Sequence, residues 1–412
     1  MPLASELELP VIPVEDPAFP ADPMPHVEVA RRVHPWLAKF HAGYLIHGHA
    51  ATRELLGMDD HMRPFFDGVV DIFGAQGTEW GAFMTEILPT QSGPDHARLR
   101  AVVADAFTPR RAHAARELMR QVISDLLDEW APRGAFDFAE FASYFPIRVM
   151  CALVGVSADA VSSLHEALET QVSVMSLDKT LLPRLIEGHK VMWRFADSVI
   201  REREAELQGR DDGTMLAALI AVKDAGQLTD RELRHLLMVL LLGGFDTTKN
   251  MLTLSVWQVL QYPAIWARCA EEQGFCGKVV EEMLRHSTIL TPYRVITRDV
   301  EYDGVVIPQG TMVCFALPLA GRDPAAFPDP MTFDPERAYT NRHFAFGKGA
   351  HVCIGQHLAR VQLEEGLHLV ARRLRNLRVT GAVERRPFLG AGGLRTLPVA
   401  FDAPISVRVR PG

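Results

Sequence analysis

The 412-residue chain has few cysteines, and none stands in a pair that could chelate a metal or cycle between thiol and disulfide. Cys151, Cys269, Cys276, Cys314 and Cys353 are odd in number and widely spaced, which excludes a disulfide scaffold. The absence of any Cys-x-x-Cys argues against a structural zinc site and a dithiol redox motif. Positive charge is not in excess: 43 Lys and Arg face 51 Asp and Glu, a net charge of −8, so a general nucleic-acid binder is disfavoured. Long apolar runs are missing too. The most apolar stretch, Leu236 to Phe245, has ten residues, against the about 18 that a membrane span requires. It reads instead as a buried helix. The N-terminus carries acids and prolines where a signal peptide needs a basic start and an apolar run, so the expected location is the cytoplasm. A Gly-x-Gly-x-x-Gly followed by an acid is also lacking, which leaves no fingerprint for a bound dinucleotide.

What the chain does have is apolar residues, 48% of the total, enough to offset the entropy of ordering. Length alone allows two or three domains. No repeat, linker or composition shift divides the sequence, however, so the expectation is one domain over 1–412, with 1–25 extended and Pro-rich over the surface. Apolar spacing of three and four residues, as in 114–131, predicts mostly helix from Pro94 to Tyr262. Thr229 and Glu232 form a capping-box pattern that opens a long helix running to Tyr262, just before Pro263. At 1.5 Å per residue it would span about 50 Å and must cross the middle of the molecule. A short helix is expected around Lys278 to His286, and a hairpin over 300–307 turning at Asp303-Gly304. The stretch 322–337, with four prolines, should be irregular. A last helix is predicted from Gly355 to Leu374, then short strands. The class is mainly α with a smaller β portion.

The strongest motif is Phe346-x-x-Gly349-x-x-x-Cys353-x-Gly355, a cysteine bracketed by glycines at the mouth of a helix. Gly347 and Gly349 permit backbone conformations that a Cβ forbids, and Gly355 permits close approach to something flat. Backbone N–H groups at a helix start favour a thiolate. Next is Gly243-Gly244-Phe245-Asp246-Thr247-Thr248, inside the long helix. Each glycine there costs up to about 1 kcal/mol against Ala, and an acid beside an apolar run costs more unless paired. Taken alone, this segment also reads as a kink with a solvent-facing Asp. Glu282 and Arg285 form an i,i+3 pair, and Arg337 follows in Phe333-Asp-Pro-Glu-Arg337. His96 and Arg100 share a helix face at i,i+4.

In this order, from about Trp36 to Phe401, these motifs resemble the cytochrome P450 monooxygenases of the soluble bacterial branch. The resemblance implies the P450 fold and a haem b whose axial iron ligand is the Cys353 thiolate, with Phe346, Gly355 and Gly244 against the cofactor. It assigns His96, Arg100, Arg294 and His351 to the haem propionates, proton delivery to Asp246 and Thr247, and a structural triad to Glu282, Arg285 and Arg337. By the same analogy the substrate pocket draws on Phe65, Phe66, Trp80, Phe83, Met84, Val239, Leu240, Ile289, Leu290, Val295 and Leu394. Arg110, Arg111, Lys348 and Arg360 would form a basic proximal face for an iron–sulfur ferredoxin, itself reduced by a separate NAD(P)H-dependent reductase. The implied activity is oxidation of a hydrophobic small molecule by O₂ and two electrons, in a monomer without nucleic-acid or membrane partners. Two alternatives stay open: a peroxide-driven peroxygenase or nitric-oxide reductase on the same fold, and a haem sensor without catalysis. The Asp246-Thr247 pair speaks against the first, since peroxide-using relatives tend to lose such residues.

Overall fold

In the computed structural model, which describes residues 1–157, 161–210, 212–338 and 342–402, the capping pattern at Thr229 does what its chemistry suggests. The Thr229 hydroxyl accepts from the Glu232 N–H at 3.1 Å, and the Glu232 carboxylate accepts from the Thr229 N–H at 2.8 Å. The helix runs Asp230–Val259, 30 residues or about 45 Å. It stops short of Tyr262 because Pro263 crowds the residue before it out of the helical region; Tyr262 sits at φ −125°, ψ 82°. Leu236 to Leu241 are all buried, so the most apolar run of the chain is indeed a core helix. Its main neighbour is the helix Phe138–Val154, and the helix Gln356–Arg373 crosses its other side.

Around this axis the predicted helical half appears as Gly93–Ala104, Pro109–Ala114, Arg116–Trp130, Val161–Val172, Leu182–Leu207 and Met215–Asp224. A five-stranded sheet lies to one side, in the spatial order Leu37–Phe40, Gly43–Ile46, Met312–Phe315, Tyr293–Ile296, Met62–Pro64. Its pairings are antiparallel except Gly43–Ile46 with Met312–Phe315. The hairpin at 300–307 pairs Val300 with Ile307, and both Asp303 (φ 47°) and Gly304 (φ 79°) take left-handed backbone, as a tight two-residue turn requires. Gln273–His286 is longer than the expected short helix. The stretch 322–337 has no helix or strand among its residues. The last strands include Leu394–Thr396 and Pro398–Ala400; the expectation for 403–412 lies outside the described residues.

The N-terminal segment runs over the surface, most of its residues exposed, but it is anchored: Ile12, Val14 and Phe19 are buried in a cluster with Phe40, Leu45 and Phe388. The Ile12 N–H donates to the Lys39 carbonyl and the Lys39 N–H to the Pro10 carbonyl, extending the sheet edge. Prolines suit an edge, where a missing donor costs nothing.

The Glu282–Arg285 pair holds the irregular segment. Both side chains are fully buried. The Arg285 guanidinium spends all five of its N–H donors: on the two Glu282 oxygens at 2.6 and 2.8 Å, and on the carbonyls of Gly321, Pro330 and Thr332 at 2.8, 2.8 and 3.2 Å. Glu282 also accepts the Asp334 N–H at 2.9 Å, and Arg337 lies 3.5 Å away while donating to the carbonyls of Pro328, Asp329 and Thr332. Three side chains thus replace the backbone ladder that the prolines cannot make.

Removing one partner leaves a buried charge alone, which costs about 3–5 kcal/mol. Glu282→Ala should therefore lose a large share of folding stability, read as a lower melting temperature and poor recovery of folded protein rather than a selective loss of turnover. Acid should also destabilise the fold. Burial depresses His47 and His286 to about 3 and His189 and His235 to about 4, below the ordinary 6.5. These rings are neutral when folded and take up protons on unfolding, so stability present above pH 6.5 is lost as pH falls toward 4, by up to about 1.4 kcal/mol per pH unit for each ring. Denaturant titrations at pH 7, 5.5 and 4.5 check the slope.

Candidate active site

The glycine-bracketed loop is built by its own backbone. The Gly347 N–H donates to the Phe344 carbonyl and the Cys353 N–H to the Phe346 carbonyl, both at 2.8 Å. Gly349 (φ 76°) needs its missing side chain twice over: a Cβ there would be left-handed and would lie 2.3 Å from the Asp59 carboxylate, which accepts the Ala350 N–H at 2.6 Å. This loop delivers Cys353 to the floor of a cavity of about 420 Å³, just before the helix Gln356–Arg373. Burial raises the Cys353 thiol above its ordinary range, while the Gly355 N–H and the charges of Arg100 and Arg360 oppose that.

The central helix supplies the roof. Gly243, Gly244, Thr247, Thr248 and Met251 line the cavity, together with Val239 and Leu240. A Cβ on Gly243 would meet no atom within 4 Å, whereas one on Gly244 would strike Met150 of the neighbouring helix at 2.6 Å. Gly244 therefore serves helix packing as well as cavity shape. The Thr247 hydroxyl donates to the Gly243 carbonyl at 3.3 Å and lies at the cavity. Asp246 does not. Its carboxylate is turned away and accepts two hydrogen bonds from Arg386, at 2.8 and 3.0 Å, with 6% of the side chain exposed. The sequence reading gave both side chains a part in proton delivery; the geometry brings only Thr247 to the cavity wall. Arg386 was missed, since it lies 140 residues away in a segment whose pattern carries no helical or motif signal.

His96, Arg100, Arg294 and His351 all converge on the cavity. Arg100 donates to the Val352 carbonyl at 2.8 Å and Arg294 to the Tyr293 carbonyl at 2.9 Å, and the His96 and His351 rings lie 4.3 Å apart. None of the four forms an ion pair with a carboxylate among the described residues; Asp59 is the acid whose charge Arg294 and His96 feel. Burial, then Arg294, His96 and Arg100, pushes His351 down to about 3. Two guanidiniums beside two imidazoles, with no anion paired to them, are costly to bury and fit a ligand that brings carboxylates of its own.

The remaining assignments divide. Leu290, Phe66 and Ile289 line the cavity, as Val239 and Leu240 do. Trp80, Phe83, Met84, Val295, Phe65 and Leu394 are not on its wall. Trp80 is buried with its indole N–H on Gln171 at 2.9 Å, and Phe83 packs against His189 and His235. Burying these large rings in the core between helices satisfies them without any ligand. Gln362, unforeseen, lines the cavity with a buried carbonyl oxygen that has no partner among the described residues. Of the proposed docking cations, Arg110, Arg111 and Lys348 are exposed. Arg360 is instead half-buried over the Phe346 ring and paired with Glu281 at 2.5 Å. Although burial works against it, hydrogen bonds from His343 and Arg360 hold Glu281 at about 2, so Arg360 is neutralised.

A cysteine at the floor of a cavity, a helix with a hydroxyl above it and unpaired cations at its rim define a site for a flat, thiolate-ligated, dicarboxylate cofactor. The family profile described as Cytochrome P450 matches residues 75–392. The chain is 33% identical over 401 residues to a luteothin monooxygenase of Streptomyces thioluteus, covering 96% of this chain and 97% of that protein. It is also 33% identical over 321 residues to a 6-deoxyerythronolide B hydroxylase of Saccharopolyspora erythraea, covering 76% and 77%. Among solved structures, CalO2 superposes with a TM-score of 0.86 at 25% identity, over 96% of this chain and all of that one. The chain belongs to the cytochrome P450 family and is a P450 monooxygenase. Its cofactor is haem, with the Cys353 thiolate as axial ligand. Haem held in this way supplies O₂ activation, because the thiolate pushes electron density toward the iron and favours O–O cleavage. No helix among the described residues is long and apolar enough to cross a membrane.

Cys353→Ala should lose the thiolate signature: the reduced CO complex of the parent absorbs at the position peculiar to thiolate ligation, and the variant should show the ordinary haem-protein Soret band or no bound haem. A variant that retains the parent band would remove Cys353 from the iron.

Proposed function

We propose that the protein, as one haem-containing domain, oxidises a neutral, hydrophobic small molecule with O₂ and two electrons delivered one at a time by an iron–sulfur ferredoxin. The observation that carries this reading is the composition of the cavity. Its chemistry is confined to Cys353, the rim cations and the helix hydroxyls, and the space between is walled by Phe66, Val239, Leu240, Ile289 and Leu290. Such a wall offers area rather than directed hydrogen bonds, which favours an apolar substrate. The relatives named for luteothin and 6-deoxyerythronolide B support a small-molecule substrate.

In this proposal each group has one task. Arg100, Arg294, His96 and His351 hold the two propionates by charge-assisted hydrogen bonds. Thr247, on the turn opened by Gly243, holds a proton at its hydroxyl beside the reacting oxygen. Asp246 is a positioning residue: pinned by Arg386, it fixes the helix turn that carries Thr247. The ferredoxin meets a face that includes Arg110, Arg111 and Lys348, where cations speed encounter more than they tighten binding. Arg360 is left out of that set, since Glu281 already occupies it.

Turnover of a substrate panel with ferredoxin, reductase and NAD(P)H, and again with peroxide alone, tests the reading. Product is expected in the first arm; product only with peroxide overturns it. In the same assay Thr247→Ala should keep the spectrum and substrate binding but divert most electrons into free hydrogen peroxide. Coupling equal to the parent would remove Thr247 from proton delivery.

A further inference from the structure

A second cleft, of about 230 Å³, lies behind the haem cavity and shares Thr288 and Ile289 with its wall. Its remaining lining comes from Pro20 to Pro23, the far half of the central helix at Trp257 and Gln258, and the segment at 385–393. Three arginines open into it: Arg322, Arg385 and Arg386. Only one of the three has a carboxylate, since Arg386 is the partner of Asp246. Arg322 uses its Nε on the His286 carbonyl at 2.7 Å, which leaves both Nη groups without an acceptor among the described residues. Arg385 stacks over the Trp257 ring, 4.8 Å from its centroid, and makes no hydrogen bond there. Asp22 is the acid whose field reaches Arg322, and it forms no ion pair with it.

Packing like charges into one half-buried cleft is unfavourable. Burial lowers the hold of Arg322 and of Arg385 on their protons, and at Arg322 the charges of Arg285 and Arg385 lower it further. A protein relieves such a cluster by exposing it or by supplying an anion. Here the guanidiniums present planar, fork-shaped donors that match an oxyanion. Trp257, Phe388 and Leu254 beside them offer an apolar surface for a short organic body.

We propose that this cleft is a binding site for the oxyanion group, carboxylate or phosphate, of a small molecule that sits beside the haem cavity rather than in it. The site touches the reaction cavity twice: through the shared wall at Thr288 and Ile289, and through Arg386, whose partner Asp246 precedes Thr247.

The test is thermal melting of the haem-loaded protein with inorganic phosphate in one arm and benzoate in the other, against chloride at matched ionic strength. Saturable stabilisation by phosphate, by benzoate or by both is expected and tells which oxyanion the cleft takes. Arg385→Gln should weaken that binding at least tenfold and Arg385→Glu should abolish it, with the reduced CO spectrum unchanged in both. Either variant suffices if the other folds poorly. Stabilisation no greater than chloride in both arms overturns the proposal. So does equal stabilisation of the variants, or benzoate that shifts the haem spectrum and binds Arg385→Glu as tightly as the parent. Because the readout is anion binding, it stands or falls independently of which substrate is oxidised.

Discussion

Everything on the cysteine side of the molecule hangs from one carboxylate without access to water. Glu282 orients Arg285, accepts the Asp334 N–H and draws in Arg337. Through these two guanidiniums the carbonyls of Gly321, Pro328, Pro330 and Thr332 are fixed. A chain of four prolines cannot pair its own backbone into a ladder. It is held instead by buried side chains, and the loop that ends at Cys353 continues from it. The position of a sulfur atom thus depends on an ion pair with which it shares no bond.

A second constraint is electrostatic. Arg100, Arg294, His96 and His351 gather at one rim, with Asp59 already committed to the Ala350 N–H. Apart from a ligand, that arrangement is a liability; in the proposed reading two propionates turn it into a grip. Burial has driven His351 to about 3, so at neutral pH the ring acts as a neutral hydrogen-bonding group, and the fixed charge comes from the arginines. The cleft at Arg322 and Arg385 repeats the theme on a smaller scale. In both places the fold tolerates unpaired cations where a cavity gives an anion room to enter.

How far these features were legible depended on whether they were local in sequence. The capping box at Thr229, the turn at Asp303-Gly304 and the glycine-flanked Cys353 are set by residues a few positions apart, and each took the expected form. The Glu282–Arg285–Arg337 cluster was legible because its members recur in a fixed order, although only the structure shows what their donors reach. The convergence of His96, Arg100, Arg294 and His351 on the cavity was legible only through the family resemblance, and distant pairings outside its motifs were not readable. Arg386 meets Asp246 across 140 residues, and nothing in either stretch announces the pairing. Trp80, Phe83 and Met84 had the right chemistry for a pocket wall, but helix packing turned them into the core. At the N-terminus the surface course was readable from its prolines, while the buried anchors Ile12, Val14 and Phe19 meet distant residues such as Phe388 and were not.

Gly244 carries a consequence of a different kind. Its α-carbon leaves just the clearance that Met150 fills, with a Cβ landing 2.6 Å from the Met150 side chain. Val239 and Leu240, one turn earlier, belong to the same buried core but also face the cavity. Within five residues the same helix therefore holds one position set by its neighbour helix and two whose side chains also shape the cavity. Changes of substrate preference have a route through the turn of Val239 and Leu240, while the spacing between the two central helices stays constant. A lineage of related enzymes can diversify its chemistry along this helix without renegotiating its core.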